Sequence, residues 1–270
     1  MKTMKNISKC LAAILLVVNL SSCVDLEPEP LSFFAPENTF MDKEGLEALL
    51  ITSRKQIKWE WFGDAFNAGY CETPLVYEYA WSDVSVMGAP EVKEIHNLET
   101  QLTPTTSMAL HLRYWDLAWN GIKYANTVIS RVPKSTIDNE TDKNELLAEG
   151  YFHRAYWYYL LVNQWGDVPL LLEEITEPKL DFYTVSRMKI LQQMKTDMEF
   201  AVKWLPKNVK PGCVNRAAGE HLLAKIYLST GDFQLAVDAT TRCINDYGLH
   251  LMKERFGVNA EDASLDVFND

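Results

Sequence analysis

Between Phe62 and Pro104 lies a stretch with no sustained hydrophobic period that holds Phe66, Tyr70, Tyr77, Tyr79 and Trp81, followed by Asp83, His96 and Asn97. Segments of this length in compact domains are usually functional or carry short structure of their own, so this is the first place to look for a ligand. Within it, "EYAWSDVS" spaces Tyr79, Trp81 and Asp83 at every second residue. Those types suit a binding surface, because exposed rings offer apolar faces and a carboxylate offers acceptors at their edge. Strand-like alternation would instead bury Tyr79 and Trp81 on one face and turn Ala80 and Ser82 to the other. Signals for catalysis are absent. The histidines at 96, 111, 153, 221 and 250 make no i, i+4 pair, and no GxSxG, P-loop, HExxH or GxGxxG occurs. Asp83, Glu173 and Glu174 are carboxylates, but a hydrolytic pair is defined by separation in space. No enzymatic activity, cofactor or metal site is therefore expected.

A second chemical site is Cys23. Lys2, Lys5 and Lys9 form a positive n-region, "CLAAILLVVNL" a short apolar h-region, and "LSSC" closes it as a lipobox-like sequence. Residues 1–22 read as a lipoprotein signal peptide, cleaved before Cys23 so that its sulfur carries a diacylglyceryl thioether. Each buried acyl CH2 contributes about 0.8 kcal/mol, so the mature chain is anchored to a membrane rather than spanning it. Of the five cysteines, Cys71, Cys213 and Cys243 remain. An odd remainder without CxxC or close Cys–His spacing argues against a disulfide framework and a zinc site; free thiols are expected, with one pairing still open. The net charge of -11 becomes -14 once three Lys and no acids leave with the signal. That acidic balance argues against a nucleic-acid partner.

The elements that position these residues read as helices. Residues 23–38, with Pro28, Pro30 and Pro36, form an extended tether. A helix is expected from Asn38 or Thr39, with Phe40, Leu46, Leu49, Leu50 and Ile57 on one side. Another spans Ser107 to Arg131, its stripe carried by Leu112, Trp115, Trp119, Ile122 and Ile129 and its end set by Pro133. An aromatic-rich helix from Thr141 to Trp165 is expected to be buried all round, with Gly166 at its C' position and Val168 extended before Pro169. Its tyrosine hydroxyls need partners, which Arg154 or His153 can supply. Ser186 caps a fourth helix that carries Ile190, Met194, Asp197, Met198, Ala201 and Leu205 and stops at Pro206. From Asn215 to Gly248 comes a helix, a "TGD" turn and a second helix, whose Ala224, Tyr227, Gly231, Phe233 and Ala236 are similar to a tetratricopeptide repeat. There Ala224 and Ala236 allow close approach, and Tyr227 and Phe233 fill the gap between neighbouring pairs. Long helices without a strand series make the fold class mainly α.

The lipobox, "YFHRAYWYYLLVNQWGDVPL" at 151–170, "VSR" followed by "DMEFAVKWLP", and "LLAKIYLSTGDFQLAV" occur in order across nearly the whole mature chain. Together they resemble the SusD/RagB family. That resemblance implies a helical SusD-like fold with tetratricopeptide-like pairs, here from residue 39 to 270. It further implies a surface-exposed outer-membrane lipoprotein that binds nutrient glycan, or peptide in RagB-type members, and delivers it to a SusC-like TonB-dependent transporter. Family chains are longer, so this one corresponds to the N-terminal part of a member, with the C-terminal part of the fold missing. A truncated scaffold that meets the transporter without ligand is the alternative. By the same resemblance the segment after the first helix carries the ligand site, which points to Tyr79, Trp81 and Asp83.

Overall fold

The computed structural model describes residues 40–62 and 109–249. Six α-helices account for most of them: α1 Lys43–Phe62, α2 Ala109–Arg131, α3 Glu140–Gln164, α4 Arg187–Trp204, α5 Arg216–Thr230 and α6 Phe233–Asn245. A 3-10 turn, Val132–Lys134, follows α2, and the two-residue strands β1 Val168–Pro169 and β2 Thr184–Val185 pair antiparallel. Each helix packs mainly on the helices before and after it in the chain, α3 on α2 and α4 above all. This serial stacking is how a repeat-like unit buries a face it cannot bury alone. None of the described helices is long and apolar enough to cross a membrane.

The helix ends follow local chemistry. Asn139 caps α3, its side chain accepting from the Thr141 N–H at 2.8 Å, and Asn215 caps α5 by accepting from Ala218 at 2.8 Å. Gly166 and Gly231 follow α3 and α5 at φ 74° and 84°, a left-handed conformation that residues with a Cβ rarely adopt. Two expected starts differ. Phe40 has φ 69°, outside helical space, and α1 begins only at Lys43, where Asp42 Oδ1 accepts the Gly45 N–H at 2.8 Å. Ser186 does occupy the N-cap of α4, but its hydroxyl makes no capping bond; Asp167 reaches across instead and accepts the Arg187 N–H at 2.9 Å.

The core is laid down by the stripes. Leu46, Leu49 and Leu50 of α1 meet Val128, Val132 and Leu146 in one cluster, and all six residues named for α4 are buried. The larger cluster centres on Trp157 and Tyr158 of α3, both fully buried. Gly121 leaves room for the Trp157 indole against α2, since a Cβ there would overlap that ring. Tyr151, Tyr156 and Tyr159 are half-buried, and their neighbours differ from the expected ones. Tyr156 donates to Glu60 Oε2 at 2.6 Å and the Tyr158 hydroxyl bonds the backbone of Leu171, whereas Arg154 is taken by Asp197 and neither nitrogen of His153 is hydrogen-bonded.

The α5–α6 pair matches the repeat pattern in its interior only. Ala224, Tyr227 and Ala236 are buried, and Glu220 of α5 accepts both Arg242 nitrogens at 2.9 and 2.8 Å. Phe233, expected to fill the gap to a neighbouring pair, is 65% exposed because no described element packs on the outer face of α6.

Candidate functional site

Tyr79, Trp81 and Asp83 lie outside the described residues, as do Cys23, His96 and Asn97. The described residues form a groove of about 640 Å³ between α2 and the segment leaving β1. Trp115, Trp119, Ile122 and Asn126 recur every three or four residues, with Lys123 one turn after Trp119, so one face of α2 supplies the first wall. Leu171, Glu173, Ile175 and Phe182 supply the second. The indoles are held by edge contacts. Trp115 meets Trp119 at 5.4 Å and 66°, Trp165 supports Trp115 at 5.2 Å, and Tyr158 stands at 87° to Trp119. Such T-shaped arrangements fix ring orientation through complementary quadrupoles.

The second wall continues beyond its two-residue strand, so its backbone groups need partners from side chains. Asn126 Nδ2 donates to the Leu171 carbonyl at 2.9 Å, and Arg154 Nη1 donates to the Leu172 carbonyl at 2.8 Å and to Asn126 Oδ1 at 3.1 Å. Arg154 is itself fixed by a buried bidentate pair with Asp197, at 2.7 and 2.9 Å. Tyr158 accepts the Leu171 N–H at 2.6 Å and lies 3.2 Å from the Leu171 carbonyl. Burial pushes the Tyr158 hydroxyl well above the usual phenol range, against the pull of the Leu171 N–H and Arg154, so it stays protonated and can keep both bonds. Farther along, Arg131 grips Glu174 at 2.9 and 2.7 Å, and the Glu174 N–H donates to Ser130 Oγ at 3.0 Å.

Glu174 is thereby a fastener of the wall, while Glu173 lines the groove beside it. Lys123 and Thr127 add polar groups, and the Trp119 indole N–H is closed off from solvent with no hydrogen-bond partner. Ring faces flanked by a few donors and acceptors suit a ligand with apolar faces and polar edges. Trp115 and Trp119, two rings of the α2 stripe, are only partly buried and line the groove. The available signal was the polar run Lys123, Asn126 and Thr127 continuing the same helical face. Among the described residues, no cluster of three or more His, Cys, Asp or Glu is placed to hold a metal ion. Cys213 and Cys243 are free, part-buried thiols.

Residues 71–228 match a SusD-like family described as starch-binding and associating with the outer membrane. SusD-like protein P2 of Formosa agariphila is 27% identical over 261 residues, covering 95% of this chain and 48% of the relative. A SusD superfamily protein from Bacteroides vulgatus superposes with TM-score 0.67 at 20% identity, over 79% of this chain and 46% of that one. A laminarin-binding SusD-like protein does so with TM-score 0.65 at 23% identity, over 78% and 46%. The chain spans about half the length of these relatives.

Proposed function

The chain belongs to the SusD-like family, and from that premise we propose that it captures a nutrient glycan at the outer-membrane surface. It passes the glycan to a SusC-like TonB-dependent transporter and performs no chemistry on it. Residues 1–22 serve as the signal, lipid on Cys23 is the anchor, residues 23–38 form the tether, and the helical body from residue 39 presents the ligand site. The family match over residues 71–228, more than half of the chain, is the observation that carries this reading. Two further points support it. A relative of the same fold is named as laminarin-binding, and the Trp115–Trp119 groove has the chemistry that sugar rings require. Tyr79, Trp81 and Asp83 are proposed as ligand contacts on their residue types.

The second reading is a helical scaffold that meets the transporter without holding ligand. Its support is the bare apolar stripe of α6, where Phe233, Val237 and Ile244 are 65%, 55% and 65% exposed. Affinity electrophoresis of the full chain through gels containing starch, laminarin or galactomannan separates the two. Retardation in at least one gel is expected for glycan capture. Equal mobility in every gel overturns capture and leaves the scaffold.

A further inference from the structure

A second cavity, of about 520 Å³, is lined by residues of α1, α3 and α5 and of the loop that leads into α5. That volume falls in the range of small-molecule sites, roughly 300–1,000 Å³. It shares no lining residue with the α2 groove. Its walls include the rings of Phe152, Tyr156 and Tyr159, and its polar lining includes Arg54, His153, His221 and Lys225. No Asp or Glu lines it, in a chain with 37 acidic and 26 basic residues.

His153 gives this cavity its meaning. Its side chain is fully buried, Nδ1 has no partner, and Nε2 makes no hydrogen bond of good geometry. The nearest charge is Glu149, 3.5 Å from Nε2, and that carboxylate is already committed to Arg54 at 2.6 and 2.8 Å. Unpaired buried polar groups are unfavourable and uncommon in native proteins, where a ligand or water normally satisfies them. At the mouth, Lys225 makes no ion pair among the described residues and lies 5.5 Å over the Tyr159 ring. Partial burial, with the charge of Lys225, holds His221 below the usual histidine range.

We propose that this cavity binds a small carboxylate with an apolar ring face, its ring against Tyr156 and Tyr159 and its carboxylate drawn by His153, His221 and Lys225. The inference stands apart from glycan capture by the α2 groove. An acidic sugar and an aromatic acid share the chemistry, and glucuronate and benzoate serve as probes for the two sources, with glucose as the neutral control.

The experiment is a titration of the full chain in detergent, followed by the ring-nitrogen NMR signals of His153 and by calorimetry. Saturable binding of glucuronate or benzoate with movement of the His153 signals is expected, and whichever acid binds identifies the source. Lys225→Ala, at an exposed position that leaves the fold intact, should weaken binding by on the order of tenfold, the effect of losing one charge-assisted contact. Three results each overturn the proposal: glucose binding as tightly as glucuronate, neither acid moving His153, or affinity unchanged in Lys225→Ala.

Discussion

Trp119 shows how one residue type serves two ends. Its ring is fixed from behind by Tyr158 at 87°, while its indole lines the groove. If glycan stacks there, Trp119→Ala should weaken polysaccharide retardation about tenfold, a loss of about 1.4 kcal/mol of ring contact. Unchanged mobility would remove the groove from the ligand path. Trp81→Ala is the companion test of the proposed contact outside the described residues: weaker binding at unchanged thermal stability is expected, and a large loss of stability would favour its burial in a strand. Glu149 carries the pH prediction. Burial raises its pKa, but His153 and Arg54 together outweigh that and leave it below the ordinary glutamate value of 4.5. A carboxylate depressed by folding contributes stability that is present above its unfolded pKa and lost as pH falls through the folded one. The unfolding temperature should therefore drop as pH falls below 4.5, and Glu149→Gln should flatten that acid slope while lowering stability at neutral pH. An acid slope identical in the variant would show that Glu149 is not the group involved.

Among elements, what was legible in the sequence was local. Gly166 and Pro206 mark helix ends by their own backbone chemistry, and the stripe from Ile190 to Leu205 names a buried face through its period alone. Contacts between distant residues were not legible. Asp167 caps α4 from 20 residues away, and the pairs Arg131–Glu174 and Arg154–Asp197 each join residues 43 apart. No periodicity encodes such partners, so the sequence shows the two indoles of the groove but not the wall that faces them. Phe233 was misplaced for a related reason, since a repeat pattern names the face that stacks without saying what stacks on it. The Arg154–Asp197 pair offers the test at this scale. Arg154→Ala leaves a buried carboxylate unpaired and should cost about 3–5 kcal/mol. Replacing both partners, Arg154→Met with Asp197→Leu, should recover much of that loss in denaturant midpoint. Even so, the double variant frees the Leu172 carbonyl and Asn126, so groove binding should remain impaired. Full recovery of binding would show that the pair supports the core without shaping the wall.

For the whole molecule, the proposed place at the outer-membrane surface requires something that holds an acidic helical body there. With a net charge of -11, the chain gains little from anionic lipid surfaces, and no described helix is long and apolar enough to cross a bilayer. The anchor proposed above is lipid on Cys23. One acyl chain gives only marginal, reversible binding, whereas two or more hold a soluble body firmly, at about 0.8 kcal/mol per buried CH2. A diacylglyceryl thioether meets that requirement at a single cysteine. In cells fed radiolabelled palmitate, the full chain should carry label and sediment with the outer-membrane fraction. Cys23→Ser should lose the label and leave that fraction, while the described helices, Lys43–Phe62 and those from Ala109 to Asn245, stay folded as before. Label or outer-membrane sedimentation retained in the variant would refute the anchor and require another contact, such as the transporter itself, to keep the body at the surface.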